Sequence, residues 1–587
     1  MKSNSKFIVL VHTTESFFTA WALMKAARLE PGNILTGAFF LLAFFLYRHI
    51  HKRLNAKPFL STKEAHFTSL ILAAMFTLFY MIVDYPSYVS GLTNPLFRFT
   101  VLTAVCIGFI CMFYRLILLL YSYTGDKEVL ERLLIRTPDP SRFTEKHVAL
   151  CCFGICLLGW LPYFLYHFPG IMTPDSVVQF EQVLGMREYS NHHPVAHTLL
   201  IKLFYNIGML FTTSRTVAIS FYTMFQMCFM AFCVSYFIKT LRLFQIRIAV
   251  CYLITLFYAL VPYHAVFAIT IWKDIIFAGT VLLFGCSLVR LVKKITPPVC
   301  LLFILSGIML CLMRSNGWYG FCLCLPFLLL YFRKKAKVLY PALFAILVVA
   351  VIIKYPVMNK AGVIQPDLIE SLSIPTQQIA AVICNDRTLT DEQLTLVENV
   401  VDLTYIKELY NPIFADNMKE LVRAGNQEYL VSHKGDFLKL WATLGLTYPG
   451  DYVTAYINQT YGYFYPDSFY LVAEAEGISG SHLGVSHTPL IRGPLVVKAK
   501  EISIKLGNMV PIYSLLWSMG VIFWAMLFCM GNAFVRKERA KLVYYLPSLA
   551  LYLTVMIATP VATEFRYVYF MVFSLPFYLM VALLPEN

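Results

Sequence analysis

Apolar runs long enough to cross a hydrocarbon core about 30 Å thick as helices recur along almost the whole chain. A segment inside lipid must satisfy its own backbone hydrogen bonds, and for single runs of this length only the helix does so. Windows of about 19 residues give spans near 33–48, 67–84, 99–122, 147–168, 216–238, 248–268, 275–292, 298–313, 317–332, 338–355, 510–534, 542–559 and 566–584. The expectation is therefore an all-α polytopic membrane protein with about thirteen spans. A chain that is 59% hydrophobic and 14% charged, with mean hydropathy +0.66, is too apolar for a soluble globular protein.

The apolar stretch from Phe7 to Met24 is interrupted by His12 and Glu15, which favours an interfacial helix over a further span. It has no signal-peptide cleavage pattern. Net charge is +15, and one basic patch of that size would suggest nucleic acid. The cations are instead dispersed over alternate loops: Arg48, Lys52 and Arg53; Lys127, Arg132, Arg136, Arg142 and Lys146; Lys239, Arg242 and Arg247; Arg290, Lys293 and Lys294; Arg333, Lys334, Lys335 and Lys337; Arg536, Lys537, Arg539 and Lys541. The positive-inside rule places these loops in the cytoplasm of a multi-pass plasma-membrane protein, and no nucleic-acid partner is expected. The same bookkeeping requires Pro194–Thr212, although apolar, to lie along the outer surface, because a span there would invert every later loop. The fifteen cysteines fall mostly inside spans with no paired motif in external loops, which reads as structural thiols.

Four parts follow: an N-terminal three-span bundle (1–145), a transmembrane core (146–355) with an external loop at 169–215, an extracytoplasmic, mainly helical domain (356–509), and three closing spans of the core (510–587). Within the external domain, Pro375–Arg387, Thr390–Asp402, Thr404–Tyr410 and Gly435–Leu446 read as amphipathic helices, and Tyr448–Pro494 as irregular loop. Its tyrosines Tyr448, Tyr452, Tyr456, Tyr461, Tyr463 and Tyr465 suit either sugar stacking or core packing, the latter being the more frequent use.

On this topology, five polar groups meet the external face, where ionisable residues at span ends mark a substrate path. Asp175, in Thr173-Pro174-Asp175-Ser176 after a span, is either the start of a helix or a general base. His192 and His193, in Asn191-His192-His193-Pro194, open the surface helix. His193 and His197 have metal-ligand spacing, but without an intervening glutamate, anion contact or simple hydrogen bonding is preferred. Short turns supply Trp272, Lys273 and Asp274, then Arg314 and Asn316 before Trp318. Thr563-Glu564-Phe565-Arg566-Tyr567 begins the last span. Cations beside aromatic and polar partners suit a phosphate head group and a sugar. Lys273 with Asp274, and Arg566 with Glu564, are equally good structural ion pairs.

This order of elements resembles the GT-C superfamily of polyprenyl-phosphate-sugar-dependent glycosyltransferases over about 146–355 and the last three spans. More closely, the chain is similar to a family of large uncharacterised membrane proteins from Gram-positive bacteria with the same Pro-Asp-Ser, His-His-Pro and Glu-Phe-Arg-Tyr segments. The resemblance implies a GT-C-like bundle and an inverting transfer, on the outer face, from a polyprenyl-phosphate-linked sugar to an envelope glycan or lipid acceptor. Asp175 would be the base, and Lys273, Arg314 or Arg566 would steady the leaving phosphate. The loop carries one aspartate where many GT-C enzymes carry an acidic pair, so no cofactor is assigned, and a divalent metal is left as an open expectation. The competing classes are a transporter or flippase of lipid-linked saccharides, which would bring broken helices, midplane polar groups and an inverted repeat, and a non-catalytic envelope-assembly protein. The N-terminal spans fall outside the GT-C core.

Overall fold

The computed structural model describes residues 2–30, 32–57, 61–136, 143–468, 477, 478, 481–558, 560–562 and 564–584. Arg142, Thr563 and the parts of the expected loop at 469–476, 479 and 480 lie outside the described residues. The fold is all-α. Four long N-terminal helices, α1 (Lys2–Ala26), α2 (Leu35–Ala56), α3 (Lys63–Val89) and α4 (Pro95–Thr124), and two short ones, Lys127–Leu134 and Phe143–Lys146, precede the core. The core runs α5 (Val148–Tyr166), α6 (Pro174–Val183), α7 (Val195–Met209), α8 (Arg215–Arg242), α9 (Ile248–Leu260), α10 (Pro262–Ile269), α11 (Lys273–Lys293), α12 (Pro297–Met313), α13 (Ser315–Tyr331) and α14 (Ala336–Ile352). A helical domain follows, in which α15 (Ser373–Cys384), α16 (Asp416–Ala424), α17 (Lys434–Thr447) and α18 (Pro449–Thr460) are the main elements. The chain then closes the core with α19 (Met519–Val535), α20 (Leu546–Ala558) and a last helical stretch, Phe565–Leu583.

Each of the thirteen expected spans falls on helix. By length and composition, eight helices among the described residues can cross a membrane, or nine if α9 and α10, bent by 61° at Val261, count as one span. The thirteen-span expectation exceeds this because α12, α13 and α19 have 17 residues and α20 has 13, about 20–26 Å at 1.5 Å per residue, and because α2, the helix of the first expected span, carries Arg48, Lys52 and Arg53 in its second half and falls short in apolar character. Large apolar side chains such as Leu42, Phe45, Leu158, Leu253 and Phe327 are exposed, a surface suited to acyl chains and unfavourable in water. The protein is a multi-pass membrane protein.

The N-terminal stretch departs from the interfacial expectation. Lys6–Ala26 is among the eight, and the polar residues that argued against it are matched. Arg115 of α4 donates to both oxygens of Glu15 at 2.7–2.8 Å, and His12 is buried against the ring of His51. A charge offset within the bundle no longer excludes a helix from lipid.

The alternate basic loops gather at one end of the bundle. Arg242 pairs with Glu145 at 3.2 Å, Lys293 reaches Leu243 O, Lys335 reaches Val292 O, and Arg247 N donates to Leu134 O. Lys537 lies 3.6 Å from Glu64, and Lys57 pairs with Asp126. Helix α11 begins at Lys273 and ends among these loops at Lys293, so Lys273 stands about 30 Å away, at the opposite end. Helix α7 begins and ends at that opposite end. His193 meets Lys273 just before α7, and Arg215, soon after it, donates to Leu483 O in the loop whose Thr488 N bonds Phe168 O. As the charge pattern required, α7 does not traverse the bundle.

The helical domain has its own core, including Ile369, Val382, Val400, Met418, Leu440 and Tyr452. Helices α16 and α18 were not expected. Helix α18 occupies part of the expected irregular loop because Pro449 sits at its first position with Asp451 in its first turn. The tyrosines are packing residues. Tyr448, Tyr452 and Tyr456 donate to Thr388 O, Trp441 O and Met556 O, Tyr463 is buried, and Tyr465 stacks on Tyr80 of α3. A cavity of about 130 Å³ lies inside this domain.

Candidate functional site

The segment after α5 is held by short extended pairing. Ile171 N donates to Ile269 O at 3.0 Å and Ile271 N to Ile171 O at 2.9 Å. The break at Pro262 turns α10 so that Thr270–Trp272 can make this pairing. The buried Gln226 amide caps the carbonyls released at the end of α10, donating to Phe267 O, Ala268 O and Thr270 O at 2.7–3.3 Å. Gly170 has φ +136°, and a Cβ there would meet Thr223 Oγ1 at 2.6 Å and Ile269 O at 3.0 Å. Gly170→Ala is expected to destabilise the protein by about 1–3 kcal/mol and to lower its melting temperature in detergent.

This pairing places Asp175 beside Lys273. Asp175 is not the cap of α6: Thr173 occupies that position, and Ser176 Oγ accepts from its N–H at 3.3 Å. The Asp175 carboxylate instead faces two cations. Arg566 Nη1 donates to Oδ2 at 2.8 Å and Lys273 Nζ at 3.4 Å. Lys273 also donates to His193 Nδ1 at 3.0 Å, and Arg566 Nε lies 3.2 Å from Glu564 Oε1. Burial pushes the Asp175 carboxyl up, but Lys273, Arg566 and His193 outweigh it and hold it well below the usual carboxylate range. Burial raises Glu564, and the nearby acids Asp274 and Asp175 add to that against the pull of Arg566.

Asp274 is not paired with its neighbour Lys273. It meets Arg314 Nη1 at 2.7 Å, with both side chains buried. Arg314 also donates to Tyr567 O at 3.2 Å and lies over the Tyr567 ring, 4.8 Å from its centroid. Arg566 lies 5.4 Å from the same ring and 5.0 Å from that of Trp272. Asn316 departs from the expected site: its amide donates to Thr554 Oγ1 at 3.3 Å, tying α13 to α20. His192 is partly exposed, its Nδ1 3.7 Å from Glu370 Oε1.

The sequence pattern of the family of unknown function DUF6020 matches residues 186–586. The chain belongs to that family. No curated protein and no solved structure matches it. The region matched to DUF6020 contains His192, His193, Lys273, Asp274, Arg314, Asn316, Glu564, Arg566 and Tyr567, whereas Asp175 precedes it.

Two contributors to this DUF6020 site were not among the expected binding residues. Trp272 donates through Nε1 to Thr173 Oγ1 at 2.5 Å and lies against Arg566; its place beside Lys273 was the available signal. Glu370, bound by Arg423 and by Lys419 at 3.3 Å, comes from the helical domain. That domain docks on the site through Asn191 N to Ile364 O and Ile364 N to Tyr189 O, a contact without local sequence signal.

The donor set does not fit a divalent cation. Asp175 and Glu564 share the guanidinium of Arg566, and among the described residues no group of three His, Cys, Asp or Glu side chains converges. The His193–His197 spacing does not make a shared site either. His197 is buried, 2.9 Å from Gln179 Oε1 and 2.6 Å from the Tyr222 hydroxyl, while His193 turns to Lys273.

Burial pushes His193 down to about 3, with Lys273 acting in the same direction against Asp175. Burial chiefly does the same to His197, also to about 3. Unfolded histidine titrates near 6.5, so below that pH the unfolded state binds the extra protons and the fold loses stability as pH falls towards 3. Each neutral imidazole contributes at most about 1.4 kcal/mol per pH unit. His193→Gln is therefore expected to flatten the fall in melting temperature between about pH 6 and 4.5, leaving the part due to the other histidines, His197 among them.

Proposed function

We propose that this DUF6020 protein is a membrane glycosyltransferase of GT-C type. It moves a sugar from a polyprenyl-phosphate donor to a glycan or lipid hydroxyl, with inversion, at the membrane face opposite the basic loops. The observation that carries this reading is the meeting of Asp175, Lys273 and Arg566, from three distant segments, at one end of the bundle. An ionised carboxylate supplies a proton acceptor, and two cations can receive a leaving phosphate.

In the step, the acceptor hydroxyl proton passes to Asp175 as its oxygen bonds to the anomeric carbon. The bond from that carbon to the phosphate oxygen breaks on the opposite face. The lipid phosphate leaves with the electron pair, held by Lys273 and Arg566. At rest these cations make Asp175 a weak base, and a donor phosphate competing for them would unmask it. With the basic loops cytoplasmic by the positive-inside rule, the site faces outside. The shorter helices α12, α13, α19 and α20 run between the same two ends and are best counted as spans.

One observation favours the transporter reading, the break between α9 and α10, since discontinuous spans line many transport sites. Wild-type protein in vesicles with radiolabelled polyprenyl-phosphate sugars separates the two. The transfer reading expects sugar to leave the lipid and appear on a membrane acceptor. Labelled lipid that changes leaflet with its sugar still attached would replace it with transport.

A further inference from the structure

The cavity in the helical domain is separate from the Asp175 cluster and has a different chemistry. Its floor is made by buried apolar side chains, among them Ala380, Val397, Ile406, Met418 and Val422. Thr376, the lone hydroxyl in the described lining, already donates to Leu372 O at 2.8 Å. With no free donor in that interior to anchor it, water gains little there; an apolar-lined cavity of about 150 Å³ stays dry yet accepts a six-carbon apolar ring. The mouth lies along α17, where Leu438 is 50% exposed.

Lys434 is the single charged residue in the described lining, and it is exposed. Among the described residues it makes no ion pair. It opens α17, whose capping position, His433, contributes no side-chain cap bond, so the helix dipole adds positive potential to that of the ammonium. Asp436, in the same turn, is exposed and lies outside the lining. A greasy interior with a cation at its entrance matches an aliphatic chain that carries an anionic head.

We propose that the helical domain binds the end of one aliphatic chain in this cavity, with the anionic head of the same molecule at Lys434. The ligand class is a fatty acid or an anionic phospholipid, which share that chemistry. The inference does not rest on the transferase reading. Leu368 and Leu372 of the cavity wall flank Glu370, which faces His192, so the chain would lie one turn of backbone behind that Glu370–His192 contact.

The test uses the full chain in nanodiscs of zwitterionic lipid, with palmitate bearing a diazirine near its chain end, followed by mass mapping of the crosslinked peptides. Labelling is expected on α15, α16 and α17 and to be displaced by unlabelled palmitate. Ala380→Phe, which fills the cavity, is expected to lower it at least about tenfold, since each excluded methylene weakens binding about fourfold. Should that variant melt early, Val422→Phe fills the same space from another helix. Lys434→Glu is expected to weaken labelling by the palmitate probe and to spare the matching uncharged alcohol. A parallel arm with phosphatidylglycerol carrying the diazirine on one acyl chain identifies the source by which probe labels the cavity. Labelling confined to the membrane helices, or labelling of the domain that both filled variants retain while melting like wild type, would overturn the proposal.

Discussion

Asp175→Asn is expected to lower sugar transfer by about 10²–10⁴-fold, the usual contribution of a positioned general base, while the protein still folds and still binds the lipid donor. Folding should survive because Asn keeps the shape of the side chain, the α6 cap belongs to Thr173 and Ser176, and Arg566 retains Glu564. Donor binding should survive, or tighten, because Lys273 and Arg566 lose a competitor for the phosphate. The measurement is radiolabel release from the donor beside a donor-binding isotherm and a melting curve. Equal transfer by the variant and wild type would remove Asp175 from the chemistry and return it to the role of a structural partner for two cations.

The same pairing gives the pH profile a direction. Because Asp175 is held below the usual carboxylate range in the free protein, it stays ionised, and the acid limb of kcat/KM should not come from it above about pH 4. Once a donor phosphate draws Lys273 and Arg566 away, the carboxyl rises, so the acid limb of kcat should lie at higher pH than that of kcat/KM. For stability, a carboxyl lowered on folding contributes above its unfolded value and loses that contribution as pH falls through the folded one. This term acts in strongly acid solution, below the range in which His193 and His197 act.

The helices were legible because a membrane-crossing segment declares itself in one dimension, by a run of apolar residues, and the two ends of the bundle were legible because the charge alternates from loop to loop. Both signals are local. The pairing at the site is not local, and there the sequence misled. Lys273 and Asp274 are adjacent, yet successive residues leave a helix about 100° apart, so one reaches Asp175 while the other turns inward to Arg314. Asn316, in the first turn of α13, points to α20, whereas Arg314 sits in the extended link before that helix. Glu15 argued against a span because its partner lies a hundred residues away. Glu370 belongs to a domain whose docking on Tyr189 and Asn191 is made by backbone groups, which every residue carries and no sequence pattern marks.

Arg314→Met is expected to cost about 3–5 kcal/mol, the usual penalty for removing one member of a buried ion pair, and to lower the melting temperature in detergent by several degrees. The reason is what remains. Asp274 is 1% exposed and Arg314 7%, so truncating the arginine strands a carboxylate away from water beside Glu564, itself short of solvation. If that account is right, Arg314→Met combined with Asp274→Leu should recover most of the lost stability, because an apolar pair replaces an ionic one without leaving a charge behind. The double variant also separates two roles the sequence left together. Arg314 is engaged with Asp274 and with Tyr567 O and has no contact with Asp175, so it acts by positioning the turn that carries Arg566. The stable double variant should retain transfer within about tenfold, whereas Lys273→Met or Arg566→Met should lose the larger factor of about 10²–10³ that goes with removing a charge from a leaving group. A double variant that melts like wild type yet transfers as poorly as Arg566→Met would instead put the Arg314 guanidinium on the phosphate.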